Sequence, residues 1–176
     1  MAKDFIVAIE LGSSKLTGIA GRKNPDGSIS ILAVAKEDSA SYIRKGVAYN
    51  IERTAQGLSN IVSKLKNTLK TEIEQVYVGI GGQSIHSVKN SIVKELPLVS
   101  QDMVNELMDT NRSMEYKDCE ILDAITQEYN VDGHYEDDPV GIQARHLEGN
   151  FLNVLWRRSF YRNLNKSLDN SGIKVA

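Results

Sequence analysis

The run Phe5-Ile6-Val7-Ala8-Ile9-Glu10-Leu11, then Gly12-Ser13-Ser14-Lys15, then Leu16-Thr17-Gly18-Ile19-Ala20-Gly21, decides the fold. Two stretches of apolar and small residues flank a short polar tip, which is the pattern of a β-hairpin. The tip suits a phosphate. Gly12 lets the backbone turn and come close to a ligand, successive N–H groups in such a turn form an anion-binding nest, and Ser13, Ser14 and Lys15 add hydroxyls and a cation. Those four residues alone also fit an ordinary solvated turn. Glu10 favours the phosphate reading, because it is an acid at the end of a strand that otherwise reads as buried, and acids are rarely left there without a partner.

Downstream, Asn24-Pro25-Asp26-Gly27 is a turn signal, and Ile29 to Ala35 reads as a third strand. Lys36 to Tyr49 is polar and reads as irregular. Asn50 then offers an N-cap to a helix running to about Lys70, with Ile51, Ala55, Leu58, Ile61, Val62, Leu65 and Leu69 recurring every three or four residues. Gly57 weakens that helix by about 1 kcal/mol relative to alanine. Val76 to Ile80 reads as a fourth strand beside the first, reached through the helix and ended by Gly81-Gly82.

Beyond Gly82 the pattern changes. A strand from about Ile85 to Leu96, then Pro97, leads to a helix capped by Ser100 with Met103, Val104, Leu107 and Met108 on one side. Two further strands follow, near Glu120 to Val131 and near Ile142 to Trp156. The acidic loop Asp132 to Asp138 lacks the ligand order of an EF-hand and reads as solvated. A last helix, about Arg157 to Asn170, places Phe160, Tyr161, Leu164 and Leu168 on its buried side and stops at Ser171-Gly172. The basic stripe of Arg157, Arg158, Arg162 and Lys166 on this helix reads as a charged solvated face.

Composition narrows the function classes. The 176 residues are 41% apolar and 25% charged, near globular averages and unlike a disordered or fibrous chain. A net charge of −2 advertises neither nucleic acid nor an anionic surface as the main partner. A single cysteine, Cys119, excludes an internal disulfide; set among Ile121, Leu122 and Ile125, it reads as a small core or strand residue. No apolar run approaches the roughly 20 residues of a membrane span. Asp4 and Glu10 interrupt the first apolar run, unlike a signal peptide. His86, His134 and His146 have no metal-ligand spacing, so no metal site is expected, and no nucleophile–base arrangement stands out.

The strand, acid, x-Gly-Ser and returning strand at residues 5–21 resemble the first phosphate loop of the actin-like ATPases. Most of that superfamily has Asp at the acid position; Glu10, in Ile9-Glu10-Leu11-Gly12-Ser13-Ser14-Lys15, is closer to the bacterial cell-division FtsA family. Further motifs agree in order: Arg44-Lys45-Gly46-Val47 with Asn50-Ile51-Glu52, Val76-Tyr77-Val78-Gly79-Ile80-Gly81-Gly82, Gln127-Glu128-Tyr129-Asn130-Val131-Asp132, and Pro139-Val140-Gly141. The resemblance implies an α/β fold: the first half of an actin-like, ribonuclease H-like domain (βββαβ) over 1–83 and 157–176, with an inserted βαββ subdomain, called 1C in that family, over 84–156. Leu147 to Trp156 departs from the more regular last strand of that subdomain, and Trp156 reads as a core or hinge aromatic.

The resemblance also implies a function. Members bind ATP and Mg2+, polymerise into protofilaments partly through subdomain 1C, and tether FtsZ to the inner face of the cytoplasmic membrane at the division site. No counterpart of the family's second phosphate loop, its second lobe with the FtsZ surface, or its C-terminal membrane helix is found in these residues. The expectation is therefore a partial phosphate grip of Glu10, Gly12, Ser13, Ser14 and Lys15, in a chain without ATPase activity of its own, whose parent is at most a weak ATPase. The alternative is a protein-interaction module working through subdomain 1C without nucleotide. A metabolite kinase of the same superfamily lacks a candidate base for an acceptor hydroxyl.

Overall fold

The computed structural model of the chain describes residues 5–95 and 98–176. Leu96 and Pro97, expected to end one strand, and Asp4 lie outside the described residues. Contacts divide the chain into one unit of Met1–Ser84 with Ser159–Ala176 and a second of Ile85–Arg158.

In the first unit, β1 (Ile6–Leu11) buries Val7, Ile9 and Leu11 and exposes Ile6, Ala8 and Glu10. That alternation corrects the expectation of a fully buried strand: Glu10 stands on the exposed side. β2 (Lys15–Lys23) returns antiparallel from Leu11↔Leu16 to Ile6↔Gly21, and β3 (Ile29–Asp38) adds a third antiparallel strand. Their connection closes with Gly27 at φ +85 and with the Asp26 carboxylate accepting hydrogen bonds from the Ser28 N–H and hydroxyl, at 2.9 and 2.6 Å. Those two bonds favour the charged form and hold Asp26 below the usual carboxylate pKa.

Residues 36–49 are more ordered than their polarity suggests. β3 runs on to Asp38, and β4 (Ile43–Arg44) pairs with β5 (Val47–Ala48) as a two-residue hairpin. Tyr42, Ile43 and Ala48 are buried, so three apolar side chains anchor a segment that looks loop-like by composition.

α1 (Ile51–Leu69) begins at Asn50, whose side chain accepts from the Arg53 N–H at 3.0 Å, and ends at Lys70 in the left-handed region. Leu58, Ile61 and Leu65 are fully buried, each worth about 1.5–3 kcal/mol of transfer free energy. The helix lies on β2 and β3. A Cβ on Gly18 of β2 would stand 2.4 Å from Ile61 Cγ2, and one on Gly57 would stand 2.4 Å from the Tyr42 hydroxyl oxygen. Gly57 is therefore a packing necessity of this helix, beyond the propensity cost read from sequence. β6 (Gln75–Gly79) runs parallel to β1 in the register Ala8↔Tyr77, Ile9↔Val78 and Glu10↔Gly79. Parallel neighbours need a crossover, and α1 supplies it.

The second unit comprises β7 (Ile85–Glu95), α2 (Gln101–Arg112), β8 (Cys119–Val131), β9 (His134–Glu136) and β10 (His146–Arg157), in the sheet order β7-β10-β8-β9. β9 is the addition to the expected βαββ order. It corrects the reading of Asp132 to Asp138 as a plain loop, because Asp132-Gly133 forms a two-residue turn that folds His134 back on Val131. β10 starts at His146, four residues later than expected; Gly141 and Ile142 instead exchange backbone hydrogen bonds with Val99. From there β10 pairs without interruption with β7, from His146↔Glu95 to Trp156↔Ile85, and with β8 through two register shifts.

α2 is capped by Ser100 and buries Val104 and Leu107 against Tyr129, Val131, Leu147 and Phe151. Its last turn carries a buried polar cluster. Asn111 and Asn153, both fully buried, exchange amide hydrogen bonds of 2.7 and 2.9 Å, with Asn90 donating to Asn111 and Asn153 donating to the Tyr116 hydroxyl.

α3 (Arg158–Ser171) buries Leu164, Ser167 and Leu168. Phe160 is half-buried and Tyr161 is 37% exposed, which corrects the expectation that both lie inside. Asn163 donates to the Ala48 carbonyl, and β11 (Lys174–Val175) pairs parallel with β6, completing the first unit's sheet in the order β11-β6-β1-β2-β3.

Candidate functional site

Because β1 and β6 are parallel, their carboxyl ends reach the same edge of the sheet, the place where open α/β sheets hold ligands. A hollow of about 400 Å³ lies there. Residues 10–13 form one wall, 79–82 the second, and Lys45 with Gly46 the third.

The walls are pinned to one another through backbone. Gly12 makes a turn so tight that a Cβ would sit 2.5 Å from the Lys15 carbonyl oxygen. Ser39, fully buried, donates its hydroxyl to the Gly12 carbonyl at 2.6 Å and its N–H to the Ser14 carbonyl at 3.1 Å. The Gly46 N–H donates to the Ser13 hydroxyl oxygen at 3.0 Å. Gly46 and Gly82 pack face to face: a Cβ on Gly46 would stand 2.0 Å from the Gly81 carbonyl oxygen, and one on Gly82 2.0 Å from that of Lys45. Both have positive φ, +77 and +108, so glycine is required on two counts.

Of the five residues expected to hold phosphate, the structure brings Glu10, Gly12 and Ser13 to the hollow. Ser14 and Lys15 are exposed and are not among its lining residues, with Lys15 opening β2 opposite Asp38. Ser39, Lys45, Gly46 and the glycines 79, 81 and 82 are additions. The motifs around 44–47 and 76–82 carried a signal for most of them, but nothing in the sequence placed either motif beside Gly12. Chemically its lining residues include one acid, Glu10, one base, Lys45, one hydroxyl residue, Ser13, and glycines that leave the backbone open to close approach. Among the described residues no cluster of His, Cys, Asp or Glu could by itself hold a metal ion, and no helix is long and apolar enough to cross a membrane.

An antiparallel hairpin plus third strand, a crossover helix, a parallel fourth strand and a glycine-lined hollow at the strand ends define an actin-like α/β domain, here interrupted by an inserted α/β module. In fold the chain is similar to a chain of the solved PilM-PilN type IV pilus biogenesis complex, with a TM-score of 0.60 and 13% identity over 97% of this chain and 46% of that one. Residues 82–155 match the family described as the SHS2 domain inserted in FtsA. In sequence the chain is similar to FtsA proteins: it is 32% identical to the cell division protein FtsA of Porphyromonas gingivalis over 92% of its length, and 24% identical to that of Escherichia coli K12 over 98%. It spans 35% and 42% of those two relatives.

Proposed function

We propose that the chain is the part of an FtsA-like cell-division protein that grips the phosphate end of Mg-ATP, with the hollow as one side of the nucleotide site. The observation that carries this is the mutual packing of Gly46 and Gly82 beside Gly12 and Ser13, a cradle that any side chain would fill. The donor set fits the ligand. Glu10 is a hard oxygen donor of the kind Mg2+ takes singly, with waters and phosphate oxygens completing its shell. Residues 12–13 and 81–82 line the hollow, and the Ser13 hydroxyl and the backbone N–H groups there are the donors that phosphate oxygens would use. When bound, the metal would neutralise phosphate charge; this chain's residues would bind and orient.

In the whole protein we read ATP binding as the control on polymerisation and on tethering FtsZ at the cytoplasmic face of the membrane, with the SHS2 unit contributing protofilament and division-protein contacts. Because the chain spans about two fifths of its relatives, the base pocket and the remaining phosphate donors are assigned to the rest of the protein, and hydrolysis by preorganised donors is not expected of this part. Titration calorimetry of the chain with Mg-ATP is expected to give a dissociation constant no tighter than about 1 mM, near −4 kcal/mol. Micromolar affinity would overturn the assignment of half a site.

A further inference from the structure

We propose that Lys45, rather than Lys15, is the phosphate-facing cation of the hollow, held there by a turn whose conformation disfavours lysine. The inference rests on the reading of the hollow as a phosphate site, and names a residue that reading does not require. β4 and β5 are joined by two residues, Lys45 and Gly46, both at positive φ, +51 and +77. Two-residue hairpins with this signature favour Asn or Asp followed by Gly, since the first position must enter the left-handed region. The same molecule makes that choice elsewhere: the β8–β9 turn is Asp132-Gly133, with φ +47 and +93. At position 45 a lysine stands in the unfavourable place, as Lys70 does where α1 ends, and such strain persists where surroundings over-determine the backbone.

Those surroundings are specific. The Gly46 N–H is tied to Ser13, and the Lys45 carbonyl lies against Gly82, so the turn is clamped between the loop after β1 and the end of β6. Three cations lie in this region of the chain. Arg44 is engaged over the Tyr49 ring, 4.4 Å from its centroid, with a 3.4 Å contact to the Tyr49 hydroxyl. Lys15 is outside the lining. Lys45 lines the hollow together with Glu10 and has no hydrogen bond or ion pair among the described residues. The Lys45 backbone is fixed against Gly82 and its exposed side chain is free to turn toward the hollow, where its ammonium would meet phosphate as a point charge while Glu10 serves the metal.

The test is an amide NMR titration of the chain with Mg-ATP, and separately with inorganic phosphate, up to tens of millimolar as weak binding requires, comparing wild type with Lys45→Asn, Lys45→Gln, Lys45→Arg and Lys15→Gln. Wild-type shifts should centre on Gly12, Ser13, Gly46 and Gly82. Lys45→Asn should keep or raise the melting temperature, because it supplies the turn's preferred residue, yet weaken Mg-ATP binding about threefold to tenfold. Lys45→Gln should weaken binding equally, while Lys45→Arg and Lys15→Gln stay within about twofold of wild type. Wild-type binding with Lys45→Asn and Lys45→Gln unchanged, or with Lys15→Gln as damaging as either, overturns the role of Lys45 and leaves the phosphate site standing. Absence of wild-type shifts around the hollow overturns the phosphate site itself, and this inference with it.

Discussion

Gly82 and Gly46 touch through backbone alone, and the consequence of adding one carbon can be worked out. A Cβ on Gly82 would lie 2.0 Å from the Lys45 carbonyl oxygen, and the backbone there has φ +108. Both the contact and the conformation must give way, so Gly82→Ala is expected to lower stability by about 1–3 kcal/mol in urea unfolding. Gly81→Ala, where a Cβ meets nothing within 4 Å, is the matched control and should cost far less. Glu10, Gly12 and Ser13 were legible in the sequence because one hairpin holds them contiguously. Ser39 and Gly46 were not, since they reach residues 12 and 13 only through pairing of β2 with β3 and the β4–β5 turn. Their chemistry is visible along the chain; their neighbours are not.

Between elements, Glu37 is the most informative tie. Its carboxylate on β3 pairs with Lys64 of α1 and accepts from the Asn60 amide at 3.1 Å. The hydrogen bond from Lys64, then that from Asn60, holds its pKa below the ordinary 4.5. A carboxylate depressed in the folded state contributes stability that is present above the unfolded-state value and lost as pH falls through the folded one. Thermal unfolding of wild type and Glu37→Gln should therefore differ at neutral pH and converge as pH drops below about 4.5, by no more than about 1 kcal/mol given the exposed lysine. Parallel curves at every pH would show that the carboxylate's charge is not what joins strand to helix. α1 itself was readable from its cap and its three-to-four spacing, because both signals are local. The β4–β5 pair was not, because two-residue strands carry no periodicity and Lys45 disguises the turn. Gly57 was misjudged for a related reason: helix propensity is a property of the chain, whereas the Tyr42 hydroxyl above it is a property of the fold.

The chain divides into two compact units, and each is expected to respond to perturbation alone. In the second unit, truncating Asn153 would leave the buried amide of Asn111 short of two partners and the Tyr116 hydroxyl short of a donor. Asn153→Ala should cost about 2–4 kcal/mol, since an unsatisfied buried polar group bears its full desolvation penalty. Hydrogen exchange should show faster exchange through β7, β8, β10 and α2, with β1, β6 and α1 keeping their protection. Equal loss in both regions would mean the two units unfold as one.

The pairing of Ile85 with Trp156 bears on how such a chain assembles. The second unit's incoming and outgoing strands are direct register neighbours, so residues separated by the whole insertion stand only a strand's width apart once that unit has folded. An unfolded loop of that length would charge the first sheet several kcal/mol of closure entropy before β11 could reach β6. A folded one has already met that cost with its own contacts. The insertion is thereby nearly invisible to its host: it can be made, exchanged or enlarged at its far end while the interrupted sheet still finds its last strand waiting beside the others.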